Sequence, residues 1–372
     1  MAIQGPEKEH IEKHEQKILD NLAARRIILP ILLGVLVIAF LIWRQFDPKE
    51  FAQFPLNSRT LFWVGIAGGL LVIRHLAYSF RLRLLSNNFF SWLKSIELIF
   101  IWEFSSAVSP TSLGGSAVAL FMLSQEKLSG ARTTALVIYT VILDTFFFLL
   151  LVPSMFLVFG PKVIRPDMDS LFDQTGWGIT FLVVIALMLL YGSFFFYGLI
   201  VNARPLRNLL VILSRISFLK KYKPKIIGLG NDLVVASRDM KTRDWHVPLF
   251  TFLATATAWS CRFLIINALV MAFVETTSFA FIDQLLLYAR SGTMFMIMAF
   301  SPTPGGSGFA EIVFGGFLSD YIPSGIAPII ASIWRLLTYY FYIFAGLIVI
   351  PNWIRKLISR RIAAKHREQE QA

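Results

Sequence analysis

Eight ionisable side chains fall inside long apolar stretches of this chain: Arg74, Glu97, Glu103, Asp144, Arg262, Arg290, Glu311 and Arg335. A charge in hydrocarbon costs roughly 2.5–3.5 kcal/mol on insertion scales, so each needs a partner or a wet cavity. Two near-identical phrases accompany them, SPTSLGGS from Ser109 and SPTPGGSG from Ser301. Pro and Gly interrupt a membrane helix, and an interruption leaves backbone N–H groups able to face an oxyanion. Arginine forks match phosphate two bonds at a time. Together these residue types describe a polar site for an anionic headgroup. The candidate ligands are Arg74, Ser109, Pro110, Thr111, Gly114, Gly115, Asp144, Arg262, Arg290, Ser301, Pro302, Thr303, Pro304, Gly305, Gly306, Glu311 and Arg335. Glu97 fits a membrane interface better, being close to the end of its apolar stretch. A plainer reading makes the buried charges ion pairs that fix helix packing, for example Asp144 with an arginine.

The elements that would position these residues follow from composition. The chain is 56% hydrophobic and 16% charged, with a mean hydropathy of +0.65. Apolar runs at 27–43, 60–80, 133–159, 177–203, 247–274 and 326–350 approach the ~20 residues that cross a bilayer core. This is a polytopic helical membrane protein; a barrel would show short alternating strands. Residues 1–26 are too polar for a secretory signal and read as a cytoplasmic lead. The single cysteine, Cys261, permits no intrachain disulfide, and no metal or nucleotide motif stands out, so no cofactor is expected.

Charge sets the orientation. The net +12 comes from short basic loops, as the positive-inside rule describes, and not from a nucleic-acid face. Loop 204–246 alone holds ten Lys and Arg. Threading every apolar region straight through from a cytoplasmic N-terminus would put that loop outside. The conflict vanishes if residues 95–124 enter and leave on the same side. Residues 95–108 give only about 21 Å of helix before the first phrase, too short to cross. The expected architecture is therefore all-α, with six full spans and two re-entrant hairpins (95–124 and 281–318) opening to opposite sides. Both termini would be cytoplasmic, with residues 351–372 as a basic tail. Loop 204–246 reads as one or two amphipathic helices on the anionic inner leaflet.

The two halves match. Arg74 precedes Ser109 by 35 residues and Arg262 precedes Ser301 by 39; Asp144 follows Ser109 by 35 and Arg335 follows Ser301 by 34. Residues 60–159 and 247–350 thus read as an inverted repeat within one transmembrane domain, 27–350, an arrangement used by many secondary transporters. Chance recurrence of a helix-packing phrase is the alternative.

With RHLAYSFRLRLL, the two phrases, GFAE and SIWRLLTYYFYIFAGLIV in order, the chain resembles the transmembrane, flippase-like domain of lysylphosphatidylglycerol synthases. That resemblance spans roughly residues 27–350. It implies translocation of a lipid or lipid-linked substrate in a bacterial inner membrane, without the soluble synthase domain. By motif position it points to Arg74, Ser109 to Gly115, Ser301 to Gly306, Glu311 and Arg335. The first phrase has Ser112 where the second has Pro304, and Leu120 where the second has Glu311. Two rival expectations stand beside translocation: an enzyme on a lipid-phosphate carrier using Glu311 or Asp144, and a scaffold docking a partner through the basic loop. Homo-oligomerisation is compatible with all three.

Overall fold

A computed structural model describes residues 57–109, 112–172, 176–215, 223–241, 244–299 and 309–370. The lead 1–26, the expected span 27–43, Pro110, Thr111 and Ser301 to Gly306 lie outside the described residues. All regular structure among the described residues is helical.

Five helices are long and apolar enough to cross a membrane. They are α1 (Ser58–Leu85), α4 (Gly130–Phe159, extended to Val163 by a 3-10 turn), α5 (Trp177–Phe196), α8 (His246–Phe273), and the last span Ala327–Leu357. The last span comprises α11 (Ala327–Arg335), a π-turn (Leu336–Tyr340) and the first part of α12 (Phe341–Glu370). These coincide with five of the six expected spans. The chain is a multi-pass membrane protein.

The remaining helices are shorter. α2 (Trp92–Val108) and α3 (Ser112–Gln125) have 17 and 14 residues, about 25 and 21 Å of helix, and pack on each other. α9 (Phe281–Met298) and α10 (Phe309–Phe317) have 18 and 9 residues and flank the second phrase. α6 (Arg204–Leu213) and α7 (Lys223–Lys241) occupy the basic loop, as two helices. α12 runs through Pro351 to Glu370, so the expected basic tail is helical over its described part.

Helices in lipid gain little from hydrophobicity, so close packing and polar contacts hold them together. α1 shows this in its sequence. Ala67, Leu71, Arg74, Tyr78 and Arg81 recur at steps of three and four and form a buried stripe. Leu61, Phe62, Val72 and Ile73 face outward, available to lipid. The stripe lies along α8, the most extensive helix pair in the fold. The two run antiparallel. Arg59 Nε donates to the Met271 carbonyl (3.0 Å) and Thr60 Oγ1 to that of Ala272 (3.2 Å) at one end, while Arg81 Nη1 donates to Thr255 Oγ1 (3.0 Å) at the other.

Two glycines set the position of the α2–α3 pair. A Cβ on Gly115 would lie 2.0 Å from Ser106 Oγ and 2.9 Å from the Ser106 Cα. Gly115 of the first phrase is therefore where α3 crosses α2. On the other flank, Gly346 of α12 lies against Phe104, whose ring atoms a Cβ would meet at 2.3 Å.

A paired-arginine site between opposed helices

α1 and α8 each contain 28 residues, and Arg74 and Arg262 each stand sixteen positions after the first residue. Around them the spacing repeats. Arg74, Tyr78 and Arg81 fall at i, i+4 and i+7, and so do Thr255, Trp259 and Arg262. Antiparallel packing of these helices brings the two stripes together and places Arg262 in the electrostatic field of Arg74.

One carboxylate pairs with Arg74 and lies within the electrostatic reach of Arg262. Arg74 Nη2 donates to Glu103 Oε2 at 2.6 Å, and Arg74 itself has no exposed surface. Glu103 also feels the Arg262 charge. The guanidinium of Arg74 lies 5.0 Å from the Tyr78 ring centre and 5.1 Å from that of Tyr342; Arg262 lies 5.5 Å from Trp259 and 4.7 Å from Phe295. Ring faces carry partial negative charge, which suits a cation kept from water. Nε of Arg74 and Nε of Arg262 are both buried without a hydrogen-bond partner. Among the described residues of this cluster, two formal positive charges stand against one negative.

A hydrogen-bond relay fixes the Arg74 fork. Nη1 donates to Tyr342 Oη (2.8 Å), and Tyr342 lies 3.3 Å from His75 Nδ1. His75 Nε2 is 3.2 Å from the Ile96 carbonyl. The tautomer with hydrogen on Nε2 satisfies both ring nitrogens, with Tyr342 donating to Nδ1. The relay joins α1, α2 and α12.

Asp144 lies next to this cluster but pairs elsewhere. It accepts from Arg81 Nη1 (2.6 Å) and from Trp259 Nε1 (3.0 Å). An arginine partner for Asp144 is what the packing reading required, though the partner is Arg81, a residue the sequence places near a span end.

Arg290 belongs to a different locus. Its Nε donates to the Lys162 carbonyl (2.9 Å), and its Nη1 to the Phe317 carbonyl and the Asp320 carboxylate. It ties α9 to the turn after α4 and to the end of α10. Beside it, burial pushes the Tyr321 phenol up to about 12, against the pull of the Arg290 guanidinium.

Arg335 is buried at the entry to the π-turn, its guanidinium 4.1 Å from the Tyr339 ring centre. Tyr339 Oη donates to the Ala107 carbonyl (3.1 Å), so this end of the last span contacts the end of α2 just before the first phrase. Ser109 turns its hydroxyl back to the Ser105 carbonyl (2.7 Å). Gly114 and Gly115 lie in the first turn of α3, and Glu311 lies in α10.

At the other end of α2 and α3 is an ionic clasp. Glu126, buried, accepts from Lys94, from Trp353 Nε1 and from Arg360 Nη1 (3.3 Å). Glu97 accepts from Lys94 (2.9 Å) and from Lys356 (3.1 Å). These contacts bind the paired short helices to the extension of α12.

A family model described as the lysylphosphatidylglycerol synthase transmembrane region matches residues 27–346. The chain belongs to this family. A curated relative, a UPF0104 membrane protein of Archaeoglobus fulgidus, is 23% identical over 290 residues, covering 74% of this chain and 81% of the relative. No solved structure matches. The region shared with the lysylphosphatidylglycerol synthase family contains the whole paired-arginine cluster. The clasp residues Trp353, Lys356 and Arg360 lie beyond it.

Several of these residues were not among the candidate ligands: Tyr78, Arg81, Tyr342 and His75, while Glu103 was counted only among the buried charges. The signal for two of them was available, since Tyr78 and Arg81 share one face of a single helix with Arg74. Glu103 and Tyr342 come from separate helices, and only packing joins them.

Proposed function

We propose that this protein moves a lipid or lipid-linked substrate across the membrane by holding its anionic or zwitterionic headgroup between α1 and α8. One observation carries this reading: Arg74 and Arg262 stand at equal positions on antiparallel packed helices, both buried within one electrostatic neighbourhood, and Glu103 is ion-paired to Arg74 there. A phosphate entering there takes Arg262 directly and competes with Glu103 for the Arg74 fork. The chain's family, its five membrane-crossing helices and its opposed, equally placed arginines support a translocase built on an inverted repeat. In that architecture α2–α3 and α9–α10 are re-entrant hairpins from opposite sides, and the basic loop and both termini face the cytoplasm. Translocation is favoured over chemistry on the lipid because, among the described residues, Glu103 and Asp144 are each engaged in an ion pair with an arginine.

The test is reconstitution of the purified chain into vesicles carrying a fluorescent phospholipid, with chemical quenching of the outer leaflet. The wild-type protein should expose inner-leaflet label to the quencher. Arg262→Gln should slow that exchange about tenfold or more, the loss expected from one charge-assisted contact. Equal rates for protein-free vesicles, wild type and variant across anionic and zwitterionic labels would overturn the reading.

A further inference from the structure

A second, separate feature lies on the basic loop. α6 and α7 enclose an open groove of about 550 Å³ lined by Arg204, Arg207, Asn208, Asn231 and Val234. Two arginines and two asparagines line one space, and among the described residues no carboxylate does.

Arg207 is built into place. Its Nε donates to Asn231 Oδ1 at 2.9 Å. Its aliphatic stem crosses α7 at Gly230, where a Cβ would come within 3.1 Å of Arg207 Cγ. The carboxamide and the glycine together hold the stem and one edge of the fork, so little side-chain freedom remains to be lost when a ligand binds. Asp232, the nearby acid on α7, is turned to the opposite flank, against Gly130 of α4.

The surroundings say what kind of ligand fits. α6 is strongly amphipathic, and its Leu209 and Ile212 are exposed, as is Val235 of α7. α6 begins directly after α5 and its π-turn, so the groove opens where a membrane span ends. Exposed aliphatic side chains beside an arginine-lined groove at that level suit a molecule with acyl chains and one phosphate.

We propose that this groove is a binding site for the phosphate headgroup of an anionic phospholipid in the adjoining leaflet. Arg204 and Arg207 take the phosphate oxygens, Asn208 and Asn231 hydrogen-bond the rest of the headgroup, and Leu209 and Ile212 lie along the chains. The site is distinct from the paired arginines and does not depend on them.

Native mass spectrometry of the full chain in detergent, titrated with phosphatidylglycerol or phosphatidylcholine, tests this. The background carries Arg262→Gln, which removes the interior site from the measurement. Phosphatidylglycerol adducts should exceed phosphatidylcholine adducts, and Arg204→Gln with Arg207→Gln should weaken them about tenfold, as loss of charge-assisted phosphate contacts predicts. Gly230→Val keeps both charges but displaces the Arg207 stem, and it should weaken the same adducts while the thermal midpoint stays near that of the parent. Undiminished adducts in both variants would overturn the proposal. So would equal competition by free glycerol phosphate, which would make the ligand a soluble phosphate compound.

Discussion

Arg74 and Arg262 occupy the same position in two antiparallel helices of equal length, and the carboxylate that pairs with Arg74, Glu103, comes from a third helix. Stability and the proposed headgroup binding therefore make opposite demands on this cluster. Removing Glu103 leaves two buried like charges, whereas removing Arg262 leaves a balanced pair.

Glu103→Gln should lower stability by about 3–5 kcal/mol, the usual cost of orphaning a buried ion. Arg262→Gln should change it by about 1 kcal/mol or less, because relief of repulsion offsets ring contacts worth ~0.5–2 kcal/mol. Thermal unfolding in one detergent compares them. Equal destabilisation by both would mean that Arg262 is a structural cation.

Gly346→Ala places a methyl into Phe104. The expected cost is about 1–3 kcal/mol, typical of overpacking. Combination with Phe104→Leu should recover part of it, which a thermal-shift series would reveal. No recovery would separate the glycine from the α2 contact.

Asp144 and Arg81 should show coupling of about 1–3 kcal/mol in a double-mutant cycle of Asp144→Asn and Arg81→Gln, in the range for residues in direct contact. Additive effects in chemical denaturation would contradict the pairing.

Lys356→Glu sets a third acid against Glu97 and Glu126 in the clasp. Because Lys356 is mostly exposed, the global cost should stay near about 1 kcal/mol. The local effect should be larger: faster amide exchange in α2, α3 and residues 353–360, with α1 and α8 unchanged. Uniform exchange changes would show that the clasp is not a separable unit.

Five spans, the paired short helices and the two-helix basic loop were legible because hydrophobic blocks and positive charge are local properties of sequence. The Arg74–Tyr78–Arg81 stripe was legible in principle, since helical spacing alone produces it. The choice of Glu103 over Asp144 as partner of Arg74 was not. Both acids are single charges in apolar helices, and which arginine each reaches depends on helix rotation and crossing. Arg290 was misleading for a related reason. Its partners are mostly backbone carbonyls at Lys162 and Phe317, which have no signature in residue type. The clasp escaped notice because Glu97, Glu126, Lys356 and Arg360 lie far apart in sequence and only helix packing joins them.

The excess positive charge between α1 and α8 has an electrical consequence. A monoanion that reaches the middle of the membrane has crossed about half of the transmembrane potential, roughly 1 kcal/mol per 100 mV. Approached from the negative side, the site is downhill by that amount, about fivefold in occupancy; approached from the positive side, it is uphill by the same. If the proposed headgroup site lies at that depth, its loading is sensitive to voltage as well as to concentration, and an energised membrane would fill it preferentially from one face.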